Sequence, residues 1–125
     1  YISRLDATRR PLSNERDVID YLSSLGFEIH QCGGLSVEDQ RQLFAAADFI
    51  ITPHGAALTN IVWCQPATRV IEFLPEVHAY PCFHDLAILA GLDYRNIVCR
   101  QIDRSDNPLE AGIEISMKLL KECVR

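Results

Sequence analysis

Nowhere does this 125-residue sequence carry an apolar run near the ~20 residues of a membrane span, nor a charged start followed by an apolar core that would direct secretion. The expectation is a soluble chain with no membrane contact, in the cytoplasm. Excess positive charge is missing too. Lys and Arg number 12 against 17 Asp and Glu, a formal net charge of −5, which argues against a surface built to neutralise nucleic-acid phosphates. Any anion must therefore be gripped locally. The five scattered cysteines (Cys32, Cys64, Cys82, Cys99, Cys123) contain no C-x-x-C pair, so zinc and redox patterns are absent and mostly buried thiols in a reducing compartment are expected. There is neither a G-x-G-x-x-G fingerprint nor a P-loop, which sets aside dinucleotide oxidoreduction and ATP hydrolysis. Position 1 is Tyr rather than Met and already reads as strand, so a fragment of a longer protein is expected.

What is present suits one domain over residues 1–125 with a single buried core. β-rich runs at Tyr1–Leu5, Phe27–Gln31, Asp48–Thr52, Arg69–Phe73 and Tyr94–Cys99 alternate with amphipathic segments. Val18, Ile19, Leu22 and Leu25 recur at helical spacing behind Ser13 and Asn14 and stop at Gly26. Ser36 and Asp39 form a variant capping box ahead of Leu43, Phe44 and Ala47. A third helix is predicted from Gly55 to Cys64, a fourth from Tyr80 to Ala90 and a fifth from Pro108 to the end. This alternation predicts an α/β fold with a doubly wound, five-stranded parallel sheet of Rossmann-like type, in order 2-1-3-4-5. Ligands in such sheets bind beyond the carboxyl ends where the winding reverses, so the loops after Leu5, Thr52 and Phe73 should meet there.

Three features in those loops carry chemistry. In Thr52-Pro53-His54-Gly55-Ala56-Ala57-Leu58-Thr59-Asn60, a glycine turn joins a buried strand to a helix start, where free amides and the helix dipole suit a phosphate and His54 can donate to its oxygen. A plain turn with a structural histidine is the alternative. Glu72 is an acid inside an apolar run at the end of a buried strand; it could accept two ribose hydroxyls, or pair with Arg69 or Arg4. Arg4, with Arg9 and Arg10 beyond it and Asn14-Glu15 opening the first helix, could clamp a diphosphate with rigid guanidinium donors, although any one arginine could equally be solvated surface charge.

On these residues the sequence resembles the family 61 glycosyltransferases, which include capsular-polysaccharide enzymes. The resemblance rests on Ser3-Arg4, Arg10, Asn14-Glu15, Gln40, His54-Gly55-Ala56 through Asn60, and Val70-Ile71-Glu72 through Pro75, in that order. It departs from the family's commonest pattern at Ala57, often glycine, which bears on how closely the backbone can approach. The resemblance implies the C-terminal, nucleotide-sugar-binding lobe of a two-lobed (GT-B) enzyme. Its donor would be a nucleoside diphosphate sugar, UDP-linked, transferred with inversion to a polysaccharide or glycan held by an N-terminal lobe, in a bacterial setting and without a bound metal or cofactor. Arg4, Arg10, His54 and the amides at Gly55, Ala56 and Ala57 would stabilise the departing diphosphate. Thr59 and Asn60 would shape that end of the site, Glu72 would hold the ribose, and the general base would lie on the other lobe. A non-catalytic nucleotide-sugar-binding or scaffold domain and a sugar-nucleotide epimerase lobe are the competing expectations.

Overall fold

In the computed structural model, which describes residues 1–103, 105–107 and 109–125, three parallel strands form the centre of the chain. They are β1 (Phe49–Pro53), β2 (Arg69–Pro75) and β3 (Asp93–Gln101). A two-residue strand, β4 (Ile113–Glu114), pairs antiparallel with the end of β3, so the α/β fold has a mixed sheet in the order β1-β2-β3-β4. Helices α1 (Glu15–Ser24), α2 (Val37–Ala45), α3 (Cys82–Leu89) and α4 (Met117–Val124), with a 3-10 helix over Ala56–Trp63, complete it.

The expected five-stranded parallel sheet is corrected in two places. Tyr1–Leu5 and Phe27–Gln31 pair through one parallel bridge, Ile2 with His30, rather than as strands. The Ile2 amide also donates to the Ile51 carbonyl at 3.0 Å, so His30, Ile2 and Ile51 lie side by side, the adjacency that the order 2-1-3 requires. The ladder stops because the Ser3 hydroxyl accepts the Leu5 amide at 3.1 Å and Ala7 bonds back to Arg4 at 2.8 Å, turning the chain away. The second correction concerns the expected fifth helix. Pro108 lies outside the described residues. Beyond it Ile113 and Ile115 are buried with Glu114 half-buried between them, a period of two that builds β4. Helix α4 starts only after Ser116, whose hydroxyl accepts the Leu119 amide at 3.4 Å.

Alternate residues of the parallel strands face opposite layers. Ile51, Ile71, Phe73, Ile97 and Cys99 join Val18 and Leu22 of α1 and Leu120 of α4 in one core cluster. Ile50 and Val70 join Phe44 of α2, Leu58 and Ile61 of the 3-10 helix and Ala87 of α3 in the other. Both faces of the sheet are thus covered, as continuous apolar runs in β1 and β2 demand. Of the five free thiols only Cys64 and Cys99 are buried, and burial pushes them up to about 11 and about 12; Cys32 and Cys123 are half-buried, and Cys82 is exposed on α3.

Candidate functional site

Register brings the polar residues together. Glu72 pairs with Thr52 on β1 and with Asn96 on β3, and His54 follows β1 directly, its amide bonded to the Phe73 carbonyl at 3.0 Å. Glu72 is 0% exposed, and neither Arg69 nor Arg4 pairs with it. Arg69 instead bonds the Cys123 carbonyl at 3.2 Å and lies over the Phe49 ring. One carboxylate oxygen of Glu72 takes Nδ1 of His54 and the other takes the hydroxyl of Tyr94. Both oxygens that a ribose would need are therefore engaged. With Glu72 as a carboxylate, which only accepts, the hydrogen of this bond belongs to Nδ1; among the described residues Nε2 has no hydrogen-bond partner.

Arg4 extends toward the turn at Gly55. Its amide is fixed by the buried carboxylate of Glu15 at 2.8 Å, which also accepts the Tyr1 hydroxyl at 2.9 Å. Its guanidinium makes two long bonds of 3.3 Å, to the carbonyls of His54 and Arg9. Asn14 stands at the N-cap of α1, but its side chain makes no cap bond. Its side-chain amide bonds both ways with the Ile115 backbone, at 2.9 and 3.2 Å, and so ties the start of α1 to the end of the sheet. Arg10 sits at φ 50°, a left-handed conformation that costs a non-glycine residue roughly 1–2 kcal/mol.

Three cations thus share one corner, and among the described residues none of them forms an ion pair, the nearest carboxylate lining the adjoining cleft being Asp6 beside Arg4. Burial first, then the charges of Arg4 and Arg9, hold Arg10 below the usual arginine range. Among the described residues, the Nε atoms of Arg4 and Arg10 are buried without a hydrogen-bond partner. Donors in that state are costly unless a ligand takes them up. An aromatic wall flanks the corner: His54 lies 5.4 Å from His78 and 5.2 Å from Phe83 between ring centroids, and His78 lies 4.8 Å from Tyr80. Burial, Arg10 and His54 together lower the pKa of His78 from its usual value.

Beside this corner a cleft of about 280 Å³ is lined by Ser3, Arg4, Asp6, Gly33, Ala56 and Ala57. Ala56 is exposed and Ala57 half-buried, at a helix start whose first amides lack intrahelical acceptors. Thr59 is exposed. Asn60 is braced inward, its amide donating to Gln40 at 2.9 Å and to the Ala57 carbonyl at 3.1 Å. A larger cavity, about 390 Å³, lies where Asp48 and Phe49 enter β1 and contains none of the three arginines, His54 or Glu72. The smaller cleft reaches the unsatisfied donors through Arg4, while Arg10 and His54 lie outside its lining. The structure therefore gathers Arg4, Arg10, His54, Gly55 and Glu72 at the carboxyl edge of the sheet, with Glu15 anchoring Arg4, and adds Tyr94 and His78, which the sequence does not single out.

The family model described as Glycosyltransferase 61 matches residues 1–71. Over 94 residues, 69% of this chain, the sequence is 29% identical to the beta-1,2-xylosyltransferase RCN11 of Oryza sativa subsp. japonica. Over 96 residues, 66% of this chain, it is 30% identical to a beta-1,2-xylosyltransferase of Arabidopsis thaliana. The matched stretch is 18% of the length of each relative. Both are plant proteins and lend no support to the expected bacterial setting. Among the described residues no helix is long and apolar enough to cross a membrane.

Proposed function

Because the chain belongs to the glycosyltransferase 61 family, we propose that its arginine corner holds the diphosphate of a nucleotide-sugar donor and that the whole protein transfers the sugar to a glycan or polysaccharide acceptor. The observation that carries this reading is the pair of buried, unpartnered Nε donors on Arg4 and Arg10 beside the unengaged Nε2 of His54. In inverting transfer the acceptor hydroxyl attacks the anomeric carbon while the bond to the diphosphate breaks, and the diphosphate leaves with the electron pair. Negative charge grows on the departing oxygen. Donors already fixed in place stabilise it without reorganisation, which is where such sites gain most.

In this reading Arg4, Arg10, the doubly protonated ring of His54 (Nδ1–H on Glu72, Nε2–H on the ligand) and the Ala56 and Ala57 amides receive the diphosphate of a UDP-linked donor, and Thr59 flanks it. Glu72 orients His54 instead of binding the ribose, since it is fully buried and its two oxygens already face His54 and Tyr94. The acceptor and the general base belong to a second lobe. A xylosyl donor is the first sugar to test, because both plant relatives carry that activity in their names.

The test is steady-state kinetics on the full-length enzyme. His54→Ala and Arg10→Ala should each lower kcat by about 10²-fold or more, the scale of losing one preorganised donor. Wild-type kcat in both variants would place the diphosphate elsewhere.

A further inference from the structure

Tyr94 stands two residues before Asn96, the register partner of Glu72, so Tyr94 and Glu72 share a face of the sheet. Its hydroxyl donates to the Glu72 oxygen that His54 does not use. Burial, followed by the hydrogen bond and charge of Glu72, raises the phenol well above its usual pKa, so it remains a donor at any working pH. The Tyr94 ring is itself braced edge-on by His84, 5.5 Å between centroids.

A carboxylate held by a single hydrogen bond can still turn about its terminal torsion, which is broad and has no sharp staggered well. A second bond on the opposite oxygen removes that freedom. The plane of the Glu72 carboxylate then sets the plane of the imidazole, and with it the direction of Nε2. Resting on the role given above to His54, we propose that Tyr94 is a positioning residue for glycosyl transfer: through Glu72 it aims His54 at the departing diphosphate without touching the reacting atoms. Simple satisfaction of a buried carboxylate would require only that Glu72 have partners. Aiming requires in addition that loss of the phenol hydroxyl be felt at the His54 N–H.

The experiment compares His54→Ala, Glu72→Gln and Tyr94→Phe in the full-length enzyme. It reads donor kcat and KM together with the downfield proton resonance of the His54 Nδ1–H. Phe keeps the ring against His84, and circular dichroism and thermal melting check the fold. Tyr94→Phe should lower kcat by about 10-fold at unchanged donor KM, the scale of removing a group that orients another, and should broaden the Nδ1–H signal. Glu72→Gln should abolish that signal and lower kcat further. If His54→Ala loses kcat while Tyr94→Phe keeps either wild-type kcat or a sharp Nδ1–H signal, the positioning inference is overturned and the reading of His54 survives. If His54→Ala keeps kcat, that reading fails and the inference falls with it. Should the Phe variant not fold, 3-fluorotyrosine at position 94 keeps ring and hydroxyl but changes the acidity: a displaced Nδ1–H resonance supports the inference, and an unmoved one overturns it.

Discussion

A Cβ placed on Gly55 would lie 1.9 Å from Nη1 of Arg4, whereas its φ of 169° is extended backbone open to any residue. The glycine is therefore required by the guanidinium above it and not by the turn. Because the clash falls on the far end of a flexible side chain, Gly55→Ala should displace Arg4 and leave the fold intact. The expected outcome is an almost unchanged unfolding midpoint together with a loss of about 10-fold or more in affinity for a nucleoside diphosphate, the worth of one charge-assisted contact. Calorimetric titration beside a thermal melt measures both, and unaltered affinity would count against Arg4 as a ligand. The sequence marked Gly55 as a place where a phosphate could approach the backbone. Which atom comes close became visible only in three dimensions. His54 and Glu72 were legible because a polar residue among apolar neighbours needs a partner. Tyr94 was not, since tyrosine in a strand is ordinary and its reach to Glu72 depends on how β2 and β3 register.

At the scale of elements, the segment after Gly55 was legible as a helix but not as a 3-10 helix. Thr59, Ile61 and Val62 are poor helix formers, and the Asn60 side chain takes the Ala57 carbonyl that an α-helical amide would use. The same side chain reaches Gln40, whose own amide holds the carbonyls of Cys32 and Leu35, each at 3.2 Å. One hydrogen-bonded link thus ties the 3-10 helix to the loop that opens α2. Asn60→Ala should lower stability by about 1–2 kcal/mol and the unfolding midpoint by a few degrees, the cost of leaving a partly buried amide oxygen unpaired. Thermal melts of wild type and variant check it; an unshifted midpoint would mean that water replaces Asn60 at no cost. The central strands and α1 to α3 were legible because their periodicities are long and their stops are marked, Gly26 at φ 86° and Gly91 at φ 70° among them. The chain from Leu109 onward was misread: a two-residue strand offers almost no period, and Leu119 and Leu120 of α4 drew the expected helix too far back.

The whole molecule carries a formal charge of −5, yet its candidate site is cationic. At ordinary ionic strength the Debye length is ~10 Å, so the repulsive far field is screened while the arginines still act at contact. Since the proposed diphosphate ligands all lie in this chain, it should bind nucleoside diphosphate by itself, though weakly, and should not transfer sugar, because the acceptor side of the cleft is proposed to lie on another lobe. His78 supplies the readout. Its pKa is lowered by burial, by Arg10 and by His54, and a bound diphosphate neutralises those two neighbours and adds negative charge, so its titration midpoint should rise on binding. By linkage, the complex then holds more protons than the free chain between the two midpoints, so affinity should increase as pH falls through that window and level off below the free-state midpoint. Proton NMR titration of His78 with and without a nucleoside diphosphate, with binding isotherms at several pH values, tests both halves of the expectation. An unmoved His78 midpoint at saturating nucleotide would remove the diphosphate from this corner, and sugar transfer by the isolated chain would show that the acceptor machinery lies within these 125 residues after all.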